Sequence, residues 1–469
     1  MATANGSPTK EFFVDMLTRD IDLNDAILDL LDNCLDGVVR VLGKKRSRDD
    51  VEYYKGFKAE ITISGTQFIL RDNCGGIPRD VAEEKAFRMG RPKDETNEDL
   101  PTVGIYGIGM KRAIFKIGSE GEVITKNSSK AYSVKIPKNW VESDVWEFQI
   151  EDLDSVPEFI DSGGTSIEIQ TLHPAIASRL NSEDSIKNFI QNLNRAIQSS
   201  YSLIIEKGFE ICVNGTPITA NPTQLLISEK GIKPFVYERQ YDDVSVKLII
   251  GFYAPILSDD EIDEINDFRR TTADAGWTII CNDRVVLYND KTHLTGWGEA
   301  GVPNYHTQFI GIRGIVFFQS NNPKNLPMTT TKRGVDLASP IYADVKEHMR
   351  EGLKMFTSYT NRWKGRFEQE KQYSSVAISM PIQELLNDTA VKNQYNLITT
   401  QKRDGAFEYK PTLPAPTIDR NYLVIRYSKS KDDIQLLANK LFGDDLPEVR
   451  PSEIGEKCFD LILETHRPK

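Results

Sequence analysis

The first part of the chain carries apolar side chains at the three- and four-residue spacing of an amphipathic helix. This pattern predicts helices that lead into residue 29 and continue beyond it. A strand-like run follows over residues 61–70, and a helix is predicted over residues 110–117, directly after a run of glycines. The apolar positions that define the first helical pattern are Phe13, Met16, Leu17, Ile21, Ile27, Leu28 and Leu31.

The middle of the chain changes to the pattern of a sheet. A helical stretch over residues 185–201 precedes four runs that are rich in β-branched and aromatic residues. Asn-Gly and Asn-Asp turns lie beside these runs, and together they predict a mixed sheet in a second domain. The four runs cover residues 209–213, 244–253, 277–281 and 314–319.

The remainder, residues 366–469, has a different character. A charged helix is predicted over residues 368–374, and the proline-rich stretch 410–416 predicts an extended linker. Beyond it we predict a strand, a helix and a second strand. About 50 residues are few for an independent core, so we expect this α/β piece to dock on the body or on a partner protein. The three elements cover residues 422–427, 432–442 and 458–463.

Length, charge and cysteine content narrow the class of protein. A chain of 469 residues with a net charge of −11 suggests two or three domains. The negative net charge argues against nonspecific coating of nucleic acid, although an acidic protein can still carry a basic groove that binds nucleic acid. The five cysteines lie far apart without a CxxC pair, so neither a disulfide framework nor a zinc site is expected.

The apolar runs are too short for a membrane protein. No stretch approaches the roughly 18 apolar residues of a membrane span. The start of the sequence lacks the charged-then-apolar plan of a secretion signal. We therefore expect a cytoplasmic protein.

Three short stretches in the first quarter combine into the chemistry of a nucleotide site. They read DLLDN from Asp29, DNCGGI from Asp72 and GIYGIGMK from Gly104 to Lys111. Backbone N–H groups at glycine turns and helix starts bind phosphates, and a lysine adds a point charge. Carboxylates add three further functions: they can accept a hydrogen bond from a base, hold Mg²⁺ and orient a water molecule. Each stretch alone has an ordinary explanation as a tight turn, a hairpin or a solvated helix face.

In order and spacing the stretches resemble the GHKL ATPases, the superfamily of gyrase, the heat-shock chaperone ATPases, histidine kinases, MutL and MORC proteins. Residues 29–37 (DLLDNCLDG) are similar to the motif E-L-x-D-N-S-x-D-A, and residues 72–77 to D-N-G-x-G-I. Residues 104–113 (GIYGIGMKRA) are similar to G-x-x-G-x-G-x-K-x-A, and Gly164-Thr165 to the terminal G-T motif. The resemblance implies binding of ATP with Mg²⁺.

Roles carry over by position. Asp72 is expected to accept the adenine amino group, with Thr165 supporting that pocket, and Asn33 is expected to hold Mg²⁺. Asp29 stands at the position of the catalytic glutamate, where it would activate water. The other positions that the resemblance assigns to the nucleotide are Gly76, Ile77, Gly104, Gly107, Ile108, Gly109, Met110 and Lys111.

Two departures from the family pattern qualify these roles. Asp29 is one methylene shorter than glutamate, and a misplacement of about one bond length costs on the order of 100-fold in rate. ATP binding is thus a firmer prediction than fast turnover. Cys74 replaces the first glycine of the second motif, and we expect a packing residue there rather than a reactive thiol.

Two polar segments have alternative explanations. Residues 85–103 lie where the superfamily keeps an ATP lid, which we favour over a plain surface loop. Residues 44–48 (KKRSR) are predicted to form an exposed loop, with contact to nucleic acid as the alternative.

The resemblance also predicts the fold. It implies an α+β protein with a Bergerat-type α/β sandwich ATPase domain over residues 1–175. A transducer domain related to the ribosomal S5 fold is expected over residues 176–365, followed by the linker and small C-terminal region 366–469. Such a transducer sends a lysine to the γ-phosphate, and Lys332 in LPMTTTKRG is our candidate, although a lysine in such a loop is ordinarily only exposed.

Several functions compete on these grounds. The favoured one is a nucleotide-gated homodimeric clamp of the MutL and MORC type, which acts on nucleic acid, as in bacterial phage-defence systems. A chaperone-like ATPase with protein clients and a non-hydrolysing ATP-binding scaffold are the alternatives. A histidine kinase is disfavoured because no histidine lies on an upstream dimerisation helix. A type II topoisomerase is disfavoured because about 105 residues remain for a cleavage region that is far larger.

Overall fold

The computed structural model describes most of the chain as a mixed α+β protein, which confirms the predicted fold class. One compact unit comprises Met1–Pro416 and a second comprises Thr417–Lys469. The described residues are 9–43, 45–90, 102, 107–128, 130–220, 222–257, 274–416, 425, 428–443 and 449–466.

Two helices open the first unit, as the apolar spacing predicts. Helix α1 covers Lys10–Arg19 and helix α2 covers Leu23–Leu42. The side chain of Asp22 caps α2 by accepting a hydrogen bond from the Asp25 amide at 2.9 Å, which satisfies a free N–H of the first turn. Gly43, with φ of +50°, ends the helix.

An eight-stranded sheet forms the first layer, in the order β5-β4-β3-β6-β2-β1-β7-β8. The strands are antiparallel except for the parallel pair β1 and β7. The predicted strand over residues 61–70 is in fact a hairpin of two strands. The strands are β1 Lys58–Ile63, β2 Phe68–Asp72, β3 Gly118–Asn127, β4 Lys130–Ile136, β5 Gln149–Asp152, β6 Gly164–Leu172, β7 Glu210–Val213 and β8 Thr216–Pro217.

Helices cover this sheet and close its core. Helix α6 contributes Leu193 and Ile197 to the apolar cluster that also holds Val213 of β7. The layer therefore continues beyond residue 175, where we predicted a domain boundary. The helices after α2 are α3 Arg79–Val81, which runs into a π-helical turn at Ala82–Ala86, α4 Gly109–Ile117, α5 Pro174–Arg179 and α6 Glu183–Glu206.

A seven-stranded sheet forms the second layer, in the order β13-β12-β14-β11-β10-β17-β16, and β9 pairs with β15 separately. The strands predicted near residues 244, 277 and 314 are confirmed in this sheet. The predicted strand at 209–213 is also a strand, but it belongs to the first sheet. The elements are β9 Gln224–Ile227, β10 Phe235–Tyr241, β11 Val244–Phe252, β12 Gly276–Cys281, β13 Arg284–Asp290, β14 Ile312–Gln319, α7 Pro340–Trp363, α8 Phe367–Ser374, β15 Ile378–Pro381, α9 Ile382–Asn387, α10 Thr389–Gln394, β16 Thr400–Gln401 and β17 Phe407–Tyr409.

A buried charge cluster joins the two sheet layers. The carboxylate of Asp283, in the turn between β12 and β13, accepts hydrogen bonds from Lys207 Nζ at 2.9 Å and from the Tyr54 hydroxyl at 3.1 Å. Arg48 lies 3.7 Å away. Burial alone would raise the pKa of Asp283, but Lys207 and then Arg48 outweigh it and hold that pKa below its ordinary value.

The same cluster corrects the prediction for the basic segment 44–48. Lys45 and Arg46 are exposed, as expected, but the Arg48 side chain is only 13% exposed. Its guanidinium also donates to the Asn282 carbonyl oxygen at 3.3 Å. Sequence could not show this contact, because Arg48 and Asn282 are 234 positions apart. Arg48 thus serves the packing of the two layers.

The described residues of the second unit form two helices, α11 Lys431–Phe442 and α12 Pro451–His466. The first confirms the predicted helix, but the strand predicted at 458–463 is wrong, because these residues lie within α12. A short apolar run fits both periods, and here Ile454, Cys458, Leu461 and Ile462 also follow the helical spacing. The strand predicted at 422–427 lies outside the described residues except for Ile425. Among the described helices, none is both long and apolar enough to cross a membrane.

Candidate nucleotide site

Asp29 lies on the buried face of α2, where it meets the start of α4. Arg112 of α4 donates to Asp29 Oδ2 from Nη2 and, at 3.2 Å, from Nε. Burial raises the pKa of the Asp29 carboxyl, and the nearby charge of Lys332 opposes that shift without cancelling it. The carboxylate at the catalytic position is therefore a stronger base than a free aspartate, but one of its oxygens is bound by a cation.

Asp32, one turn later on the same helix, is held by three groups. Oδ1 accepts hydrogen bonds from the Tyr201 hydroxyl at 2.8 Å and from Arg284 Nε at 2.9 Å. Oδ2 accepts one from Lys332 Nζ at 2.9 Å. Burial alone would raise the pKa of Asp32, but Lys332 and then Arg284 outweigh it and lower that pKa. Lys332 therefore reaches α2, where its partner in this structure is Asp32, and its contact with a γ-phosphate stays a prediction.

Asn33 presents the oxygen that a magnesium ion would use. Its side-chain amide donates to the Asp29 carbonyl oxygen at 2.9 Å, which fixes the orientation of the side chain. No described residue donates to the amide oxygen of Asn33. Amide and carboxylate oxygens are ligands that Mg²⁺ accepts together with phosphate oxygens. The donor set at Asn33 thus fits the ion that the fold family implies.

A second group of potential metal ligands lies elsewhere, around His348, Glu351 and Glu408. Lys402 Nζ lies 2.5 Å from Glu408, and Lys410 pairs with both glutamates. These two lysines already neutralise the carboxylates, so we assign no metal there.

Asp72 ends strand β2 and marks the adenine end of the predicted site. Its Oδ1 accepts from the Cys74 amide at 2.8 Å, and Oδ2 lies 3.5 Å from the Cys34 thiol, a weak donor. Burial raises the pKa of Asp72 to about 6. Thr165 lies opposite Asp72 in the β2–β6 register, and its hydroxyl is 3.3 Å from that of Thr125. The carboxylate is thus buried between the second motif and β6.

The second motif turns tightly beside Asp72. Gly76 has φ of +67°, and a Cβ built there would lie 2.1 Å from the Lys126 carbonyl oxygen, so only glycine fits. The Ile77 amide donates to Thr125 Oγ1 at 2.9 Å. Cys74 is buried, and burial raises the pKa of its thiol far above the ordinary value. A buried, protonated thiol is consistent with the packing role expected for Cys74.

The phosphate end lies where α4 begins. A Cβ built on Gly109 would be 3.7 Å from Asp29 Cβ, so the helix start and the catalytic position are adjacent. Gly107 adopts φ of +67°. Lys111 is buried and donates to the carbonyl oxygens of Ala86, at 2.8 Å, and Gly107. Its ammonium therefore contacts the backbone that flanks the loop.

The other predicted positions at this end are described only in part. Ile108 and Met110 are partly buried, and Met110 packs against the first core. Gly104 lies outside the described residues, as does most of the predicted lid. Of residues 85–103, the structure describes 85–90 and Thr102, whose carbonyl oxygen accepts from Asn282 Nδ2 at 3.0 Å.

The structure thus brings Asp29, Gly109 and Lys332 together at one end of the site and Asp72 with Thr165 at the other. Sequence reasoning missed the residues that hold the two carboxylates of α2. Arg112 follows the motif lysine directly, which is a signal that could have drawn attention to it. Arg284 follows the Asn-Asp turn that the sequence predicts after residues 277–281, but that signal marks a turn and not a partner for Asp32. No local signal marks Tyr201 as a partner of Asp32.

A cavity of about 300 Å³ lies near α1 and is lined by aromatic rings and not by the motif residues. Lys10 Nζ lies 3.9 Å from the centre of the Trp140 ring in its wall. The cavity therefore gives no direct support to the nucleotide site. Its lining residues are Phe13, Phe87, Arg88, Met89, Trp140, Trp146 and Phe148.

Comparison with known proteins supports the interpretation of the motifs. The family described as histidine kinase-, DNA gyrase B- and HSP90-like ATPase matches residues 21–163. This span includes α2, the turn after β2 and the glycine loop before α4. No curated protein matches the chain. Residues 21–163 are therefore similar to the ATPase domain of the GHKL superfamily, as the motifs predict.

Proposed function

We propose that this protein is a magnesium-dependent ATPase that works as a nucleotide-gated homodimeric clamp. The observation that carries the proposal is a convergence on α2: the helix start at Gly109 adjoins Asp29, and the ammonium of Lys332 lies 2.9 Å from Asp32, one turn later. Gly109 belongs to the nucleotide domain, whereas Lys332 lies on a loop that follows strand β14 of the second sheet. A single ligand at this point would contact both layers.

Binding is assigned to residues of the first layer. Asp72 would accept the adenine amino group through Oδ2, which lies beside the weak thiol donor of Cys34. The N–H groups from Gly107 to the start of α4 would bind the phosphates, and Lys111 would add its charge. Asn33 would ligate Mg²⁺, and when bound the ion would neutralise phosphate oxygens.

Hydrolysis is assigned to Asp29 as the group that accepts a proton from water. Its raised pKa suits a general base, but Arg112 holds Oδ2. Oδ2 can therefore act only when Arg112 moves, whereas Oδ1 has no described donor. The same ion pair, with the short aspartate side chain, favours a second candidate function, a scaffold that binds ATP without hydrolysing it.

Lys332 would report the presence of a terminal phosphate to the second layer. It lies on the loop between β14 and α7, and its backbone has φ of +59°. Arg333, the next residue, pairs with Asp25 on α2. The loop is thus attached to α2 at two points, and we propose that a change at Lys332 moves it.

The role of Asp72 is tested by nucleotide affinity at several pH values. We expect Asp72→Asn to weaken ATP binding by about 1.5–3 kcal/mol, because the charge-assisted hydrogen bond to adenine is lost. In the wild-type protein, affinity should fall as the pH drops through about 6, where Asp72 becomes protonated. Calorimetric titration measures both effects. ATP itself also titrates near this pH, so the variant serves as the control: its affinity should show only the drop caused by ATP and should therefore fall less than that of the wild-type protein.

Gating is tested by nucleotide-dependent dimerisation. A non-hydrolysable ATP analogue, and not ADP, is expected to raise the dimer fraction, because a ligand shifts an equilibrium only through contacts that differ between the two states. Analytical ultracentrifugation with each nucleotide measures the fraction. A protein that remains monomeric with both nucleotides would rule out the clamp and leave the ATPase or the scaffold.

The client is tested by stimulation of turnover. A clamp on nucleic acid, the role by which we connect the chain to phage-defence systems, predicts faster hydrolysis with DNA or RNA. That stimulation should weaken at higher salt, since phosphate contacts release counterions. Stimulation by unfolded protein alone would favour the chaperone-like alternative.

A further inference from the structure

The two oxygens of Asp32 are held by groups of different accessibility. Arg284, on Oδ1, is 3% exposed, and its guanidinium lies 4.3 Å from the centre of the Tyr201 ring. Lys332, on Oδ2, is 13% exposed and comes from a loop. The arginine is thus fixed within the packed layer, whereas the lysine is the outer partner.

If Lys332 moved away, Asp32 would still have hydrogen-bond donors on its other oxygen. A buried carboxylate that loses its sole cation is strongly destabilised, but here Arg284 Nε and the Tyr201 hydroxyl remain on Oδ1. Tyr201 is itself held in place, because its single hydroxyl proton lies between two acceptors, Asp32 Oδ1 and the Leu28 carbonyl oxygen at 2.7 Å. The arrangement therefore permits exchange of the lysine without unpairing the acid.

Lys332 lies close to the place where a terminal phosphate would be. Its charge acts on Asp29 as well as on Asp32, and Asp29 adjoins the start of α4 at Gly109. We propose that Asp32 is the resting partner of Lys332 and competes with the terminal phosphate for its ammonium. Asp32 is then a positioning residue that sets the preference for a triphosphate over a diphosphate. The inference rests on the proposed function.

The test compares affinities for a non-hydrolysable ATP analogue and for ADP. In Asp32→Asn, Lys332 no longer has to leave a carboxylate, so the ratio of analogue affinity to ADP affinity should rise about tenfold, as for one charge-assisted hydrogen bond. Lys332→Ala should lower the ratio. In the double variant, Asp32→Asn should have no further effect, since the Lys332 ammonium, for which Asp32 and the phosphate compete, is absent.

The chain offers a matched control in Asp25→Asn. Asp25 lies on the same helix and pairs with Arg333 of the same loop, so this variant loosens the loop without freeing Lys332. Its ratio should match that of the wild-type protein. A rise equal to that of Asp32→Asn, or a rise that persists in the Lys332→Ala background, would overturn the proposal in favour of loop release or simple charge repulsion.

A nucleotide-free measurement on the wild-type chain guards against misfolding of Asp32→Asn, which leaves Arg284 without its counter-ion. Acylation of lysines, followed by mass spectrometry, should modify Lys332 at least about tenfold more slowly than the exposed Lys324, because only the free amine reacts and Asp32 holds the charged form. Equal rates would overturn the resting pair.

Absence of ATP binding by the wild-type protein would overturn the proposed function and this inference together, whereas an unchanged ratio with ATP binding intact would overturn this inference alone.

Discussion

Asp29→Asn is expected to lower ATP turnover by about 100-fold or more while changing ATP affinity by less than about threefold. The amide keeps the shape of the side chain but cannot accept a proton from water. Binding should persist because the adenine and phosphate contacts are assigned to other residues. Phosphate release measured beside calorimetric titration separates the two quantities.

Asp29→Glu is the informative companion of this variant. It restores the side-chain length that the superfamily uses, so turnover should be retained or increased. An Asp29→Asn protein that hydrolyses ATP at the wild-type rate would remove Asp29 from the catalytic role. A wild-type protein that binds ATP without turnover, together with an active Asp29→Glu, would identify the natural chain as the scaffold.

Asp283→Ala is expected to lower the free energy of unfolding by about 3–5 kcal/mol. The change leaves the Lys207 ammonium, which is 6% exposed, and the largely buried Arg48 guanidinium without their shared carboxylate. Tyr54 loses its acceptor as well. Urea unfolding followed by fluorescence, together with calorimetry of the first unit's transition in the full chain, measures the loss.

The pH dependence of that difference has a definite sign. Because the pKa of Asp283 is lower in the folded protein, its contribution is complete above the ordinary aspartate pKa, near 4, and is lost as the pH falls through the folded value. The difference between wild type and variant should therefore shrink below about pH 4. Asp49→Ala, which removes a 3.8 Å pair between an exposed aspartate and Lys247, is the control and should cost less than about 1 kcal/mol. A comparable loss in both variants would contradict the special role of Asp283.

The local features of the nucleotide domain could be predicted from sequence because they depend on short segments. Glycines at positions 76 and 107 adopt positive φ, and helix α2 follows from its apolar spacing and its capping aspartate. The superfamily is recognisable because its motifs follow one another in a fixed order, and each motif marks a turn or the start of a helix. The assigned roles of the individual site residues stay predictions until nucleotide binding is measured.

Contacts across the chain could not be predicted, and they decide the chemistry at α2. Asp29 meets Arg112 across 83 positions, and Asp32 meets Arg284 across 252. No periodicity specifies which arginine reaches which acid, because the pairing depends on how the two sheet layers pack. The misassigned strand at 458–463 has another cause, since six residues are too few to separate the two periods.

The acidic face of helix α2 has a consequence for the synthesis of the protein on the ribosome. Asp32 leaves the ribosome 300 residues before Lys332, an interval of about 15–60 s at ordinary elongation rates. Asp25, Asp29, Asp32 and Asp36 lie at three- and four-residue spacing on a single helix, where like charges repel one another. Arg112, the partner of Asp29, is made only 83 residues after it. Asp32 and Asp25, in contrast, acquire their partners Arg284, Lys332 and Arg333 only after most of the first unit has been made.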